Sequence, residues 1–167
     1  MPPSPIHVLI LACGNPLRED DGAGPRLAAW AEDRFHSEPR LRILTRQQWT
    51  PELAEDIASA NAVLFVDCSS ISPPGQVALA EVHPSAASHT LATHHLGAAE
   101  LLALTQDLYG HRPQEAQLLT IGAASLDLRE GFSAPVSAAL PVACALLEET
   151  IQRLLVASPA PQRSGPA

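Results

Sequence analysis

Ile6-His-Val-Leu-Ile-Leu-Ala12 runs through Cys13 into Gly14-Asn-Pro-Leu-Arg-Glu-Asp-Asp-Gly-Ala-Gly24, and Pro25-Arg-Leu-Ala-Ala-Trp30 follows. An apolar β-type run, a glycine-bearing turn and a helix with proline in its first turn read as strand, loop and helix. The loop is acidic where a phosphate-binding loop would be neutral. Phosphate cradles offer backbone N–H groups and a positive helix end to an anion, which Glu19, Asp20 and Asp21 would repel. The loop suits a cation or a proton.

The same alternation continues along the chain. His7–Ala12, Leu41–Thr45, Ala62–Val66, Gln76–Val82 and Gln117–Ala123 are short β-type runs bounded by turn residues. Helical patterns fill most gaps: 24–36, 51–60 with Thr50 as N-cap and Pro51 at N1, 94–108, and 134–156. Alternating strands and helices are the doubly wound α/β pattern. The third and fourth strands are joined by Cys68 to Gly75, too short for a parallel crossover, so the fourth strand is expected to be antiparallel. Pro141 inside the last helical pattern predicts a kink or two helices, because proline removes one backbone bond and crowds the preceding turn.

Length and composition narrow the function. A chain of 167 residues, 46% apolar, suits one domain with a sizeable core. Ten basic residues against eighteen acidic give a net charge of −8, and every basic residue is Arg. Nucleic acid is excluded as an expected partner, and the absence of Lys removes Schiff-base and P-loop chemistry. Cys13, Cys68 and Cys144 are odd in number and widely spaced, which argues against a disulfide framework or a thiolate zinc site and fits a reducing cytoplasm. No secretory pattern and no unbroken apolar run of about 18 residues is seen, so no membrane association is expected. Residues 1–5 and 157–167 hold six of the sixteen prolines and read as flexible tails around a domain at 6–156.

In open α/β sheets the functional crevice lies beyond the carboxyl ends of the strands. Asp21 follows the first strand, Asp67 ends the third, and His94-His95 begins the helical stretch through Leu96-Gly97. Two carboxylates and an imidazole make an oxygen and nitrogen ligand set for a divalent metal such as nickel or zinc. Each has a plainer reading: Asp67 as a turn former, Asp21 as a helix cap, His94 or His95 as an exposed helix-start residue. Asn15 reads as a turn stabiliser, and Cys68 as a small apolar filler rather than a thiolate ligand. Arg18 either balances the acidic run or contacts a substrate carboxylate.

Taken together, the stretch Gly14–Gly24, Asp67 after a β run, and His94-His95-Leu-Gly97 resemble the hydrogenase maturation endopeptidases, over residues 6 to about 156. The resemblance implies a single-domain three-layer α/β/α sandwich, phosphorylase/hydrolase-like, with a five-stranded, mostly parallel sheet and one antiparallel strand. It also implies a cytoplasmic, metal-dependent endopeptidase that removes the C-terminal extension of a [NiFe]-hydrogenase large-subunit precursor after nickel insertion. By position, the family's metal-contacting and catalytic residues fall on Asp21, Asp67 and His94, with nickel supplied by the substrate and zinc or cadmium able to substitute. Glu19 departs from the family, which often has a small residue there, and His95 occupies a tolerant position. A monomer is expected.

No Ser nucleophile with a base and no His-Glu-x-x-His helix is present. Two rival readings stand beside the protease. One is a nickel-handling chaperone of the large subunit without catalysis. The other is a nucleotide-binding α/β module, which Gly14–Gly24 fits poorly because it lacks Gly-x-Gly-x-x-Gly.

Overall fold

The computed structural model describes residues 6–85 and 96–157. Five strands form one sheet: β1 (Val8–Cys13), β2 (Leu41–Arg46), β3 (Ala62–Ser69), β4 (Val77–Glu81) and β5 (Glu115–Gly122), in the order β2-β1-β3-β5-β4. The first three pairings are parallel and β4 is antiparallel to β5. The short link after β3 passes the carboxyl end of β5, where the Gly75 N–H donates to the Gly122 carbonyl, and the chain returns antiparallel as β4 on the sheet edge.

Residues on alternate sides of β1 and β3 enter two separate cores, the period-two consequence of a sheet covered on both faces. Val8, Ile10, Leu64 and Val66 pack under α1 (Ala23–Arg34) and α4 (Ala134–Ala157). Leu9, Leu11, Val63 and Phe65 pack under α2 (Leu53–Ala58) and α3 (Ala98–Tyr109). This is the three-layer sandwich that the alternation implies, with β1 buried from Val8 to Ala12 and β3 from Ala62 to Val66 and both strands opening only at their carboxyl ends.

Two helix starts are revised, and of the two alternatives at Pro141 the split into two helices is removed. The second helix begins at Leu53 rather than Pro51: Leu53 and Ala54 N–H donate to Thr50 and Pro51 carbonyls, so the entry is a turn and Thr50 is not the cap. The third helix begins at Ala98, because Gly97 is extended (φ −86°, ψ 172°); positions 94 and 95 lie outside the described residues. The last helix is one continuous element through Pro141. Pro141 and Ser137, whose carbonyl loses its partner, are both exposed, so solvent can satisfy the freed oxygen.

α4 has 24 residues, and an 18-residue window of it has a mean hydropathy of 1.3, long and apolar enough to cross a membrane by length and composition. Its inner face, from Val136 through Ala143, Leu147, Ile151 and Leu154, is instead buried on the sheet. The outer face carries Glu149, Gln152 and Arg153, and Arg153 reaches Glu115 and Gln117 of β5.

Candidate functional site

The carboxyl ends of β1 and β3 lie side by side because the two strands are hydrogen-bonded in register, Ala12 beside Val66. Cys13 ends β1, and Asp67 lies two residues before the end of β3, on the face that carries α2 and α3. A cavity of about 350 Å³ opens there, and Asp21, Asp67, Cys13 and Cys68 all line it. The two predicted carboxylates thus share one cavity. Leu96 and Gly97 also line it; the predicted His94 and His95 lie just before them, outside the described residues.

The motif between β1 and α1 reaches the cavity through tight local geometry. Gly14 sits at φ +146°, and a Cβ there would collide with the backbone carbonyl oxygen of Asp21, so only glycine lets the loop fold back. Asn15 accepts the Leu17 N–H on Oδ1 at 3.0 Å, the expected turn stabilisation. Its own N–H donates to Oδ2 of Asp21 at 2.8 Å, which orients that carboxylate.

The three acidic neighbours divide their work. Glu19 and Asp20 are buried and only Asp21, half-buried, lines the cavity. Asp20 accepts the N–H groups of Ala124 (2.8 Å), Ser125 (3.0 Å) and Ser133 (2.8 Å) and the Ser133 hydroxyl (2.8 Å). Burial disfavours its charge, but these donors win and hold the carboxyl below the usual range. Glu19 has a positive φ of 45° and pairs with Arg129 at 2.6 Å, whose guanidinium keeps its carboxyl low. A bridge between Arg18 and Arg129 closes the same seam. The reading of the whole acidic loop as a cation or proton site therefore narrows to Asp21, while Glu19 and Asp20 pin the segment from 124 to 133.

Asp67 sits in the opposite electrostatic condition. Burial pushes its carboxyl up to about 7; the Cys68 N–H that it accepts at 2.8 Å works against this, and the Asp21 carboxylate adds to it. The Cys13 and Cys68 thiols are each pushed up to about 12, first by burial and then by Asp67 and Asp21. They are held as neutral thiols, consistent with the filler reading of Cys68 and unsuited to nucleophilic attack. Arg18 is the single cation among the described residues lining the cavity, and its guanidinium forms no ion pair with the others.

A carboxylate beside a proton-holding carboxyl suits a divalent cation, which would offset their mutual repulsion and the cost of burying them. No group of three His, Cys, Asp or Glu side chains converges among the described residues. Gln47, Gln48, Trp49, Ser70 and Leu126 line the cavity as well, and none of these was singled out from sequence. Only their loops' position after β2, β3 and β5 could have signalled them.

The fold and this cavity define a doubly wound α/β protein with paired carboxylates at the carboxyl ends of its central strands. No family model matches the chain. The hydrogenase 2 maturation protease of Escherichia coli (strain K12) is 24% identical over 156 residues, covering 91% of this chain and 90% of that protein. Among solved structures, the hydrogenase maturating endopeptidase HybD from E. coli matches with a TM-score of 0.74 at 22% identity, covering 88% of this chain and 93% of that one. A hydrogenase 2 maturation peptidase from Thaumarchaeota archaeon SCGC_AB-539-E09 matches at 0.64 and 26%, covering 87% and 98%. The chain is thus similar in sequence to a hydrogenase maturation protease and in fold to solved hydrogenase maturation endopeptidases.

Proposed function

We propose that the chain is an endopeptidase that removes the C-terminal extension of a [NiFe]-hydrogenase large-subunit precursor after nickel insertion. The observation that carries this reading is that Asp21 and Asp67, distant in sequence, line one cavity in a chain similar to a maturation protease over nine-tenths of its length.

In this reading Asp21, Asp67 and His94 engage the nickel that the precursor carries, and zinc or cadmium can stand in for it. The bound cation supplies Lewis acidity toward the scissile carbonyl. Asp21, held by the Asn15 N–H, orients and anchors. Asp67, whose carboxyl is pushed up to about 7 in the metal-free chain, would give up its proton as it engages the cation. The protein acts in the cytoplasm, as a monomer.

Intact-mass measurement of precursor incubated with the purified chain tests this. A nickel-loaded precursor is expected to shorten and a nickel-free one to keep its mass. An unaltered nickel-loaded precursor ends the protease reading and leaves the chaperone; shortening of the nickel-free form removes nickel as the gate.

A further inference from the structure

β1 is flanked by β2 on one side and β3 on the other, so the loops that follow those two strands border the cavity from either side of β1. The carboxyl end of β3 brings Asp67 and Cys68, and the loop after it brings Ser70. The loop after β2 brings Gln47, Gln48 and Trp49, all lining the same cavity and none used by the chemistry described above.

Gln47 and Gln48 are exposed, and neither side-chain amide bonds to another described residue; Gln47 contributes only its backbone carbonyl, which accepts from the Cys13 thiol at 3.4 Å. Trp49 is 7% exposed and fixed edge-on to Phe65 of β3, with ring centroids 5.1 Å apart. Its Nε1–H is buried with no acceptor among the described residues. A buried donor without a partner is unfavourable and calls for an acceptor from elsewhere. A primary amide presents an acceptor and two donors, the complement of a peptide group, and an indole face gives extended chain an apolar floor.

We infer that the loop joining β2 to α2 is the wall that grips the substrate's main chain, with Gln47 and Gln48 pairing with its peptide groups and the Trp49 indole beneath it donating to a peptide carbonyl. The ligand class is an extended peptide segment read through its backbone rather than its side chains. Neutral amides suit this task, because they add no charge to the field that Asp21 and Asp67 present to a cation. The inference rests on the endopeptidase reading.

The test compares steady-state cleavage of nickel-loaded precursor by the native chain, by the double variant Gln47→Ala/Gln48→Ala, and by Trp49→Phe. The double variant is expected to raise KM about tenfold with kcat within about twofold and an unshifted Tm. Trp49→Phe keeps the ring and removes the N–H; kcat/KM is expected to fall several-fold while Tm holds or rises, a split that a purely structural role would not give. Native cleavage with unchanged KM in the double variant overturns the inference alone, as does a Trp49→Phe loss that merely tracks a lowered Tm. Absence of cleavage by the native chain overturns the endopeptidase reading and this inference with it.

Discussion

Asp20 takes both the N–H and the hydroxyl of Ser133 on its carboxylate, each at 2.8 Å, joining the first loop of the chain to the start of its last helix. Asp21, the next residue, receives a single bond from Asn15 and lines the cavity. Two adjacent aspartates are thus expected to answer the same substitution differently. Asp20→Asn puts an amide N–H against one of four donors and is expected to cost about 2 kcal/mol or more. Asp21→Asn is expected to leave the urea midpoint nearly unchanged and to abolish processing of nickel-loaded precursor. Normal cleavage by Asp21→Asn would remove that residue from the mechanism.

Asp67 carries a stability cost that depends on pH. Its folded pKa, about 7, lies above the ordinary 3.8, so the folded state binds the extra proton between those values. Stability from this group is fully present below about 4, is lost as pH rises towards 7, and stays lost above it. Asp67→Asn is expected to be more stable than the native chain at pH 7.5, by on the order of 2 kcal/mol, with the gap closing towards pH 4. A gap in Tm that is flat across that range would contradict the burial argument.

The thiols give an independent check on the cavity's field. With Cys13 and Cys68 pushed up to about 12, iodoacetamide at pH 8 is expected to label them at least about tenfold more slowly in the folded chain than in urea. Mass mapping of the modified cysteines provides the rate. Equal labelling would mean that the two aspartates and burial do not act on these sulfurs.

Gly14 and Gly110 both have positive φ, yet they are expected to differ in cost. A Cβ at Gly14 meets the Asp21 carbonyl, whereas at Gly110, the C-cap of α3, nothing lies within 4 Å. Gly14→Ala is expected to lose about 3 kcal/mol or more and Gly110→Ala about 1 kcal/mol, as read from denaturant midpoints. Similar losses would show that the left-handed backbone alone, and not the close approach to Asp21, sets the requirement at Gly14.

Much of the fold is legible in local pattern. The apolar runs at β1 and β3, the short link from Asp67 to Gly75 and the Gly14–Gly24 loop suffice for a mostly parallel sheet with one reversed strand. Pro141 shows where local rules stop. Proline breaks a helix when the freed carbonyl is buried, and whether Ser137 faces solvent is decided by how α4 lies on the sheet. The site is split in the same way. Asp21 and Asp67 are visible because one lies in the loop after an apolar strand run and the other directly after such a run, but the division of labour among Glu19, Asp20 and Asp21 depends on Ser125, Arg129 and Ser133, more than a hundred residues away.

By itself, then, the sequence determined the order of elements, the strand that must run backwards, the acidic character of the loop after β1 and the lack of a nucleophile built on Lys or a cysteine pair. These follow from periodicity, link length and composition, which act over a few residues. The tertiary structure alone decided that Asp21 and Asp67 share a cavity, that Glu19 and Asp20 are structural pins, and that Gln47, Gln48 and Trp49 border the same space. Those facts arise from strand order and from which loops meet at one end of the sheet, and contacts between segments so far apart leave no periodic trace in the chain.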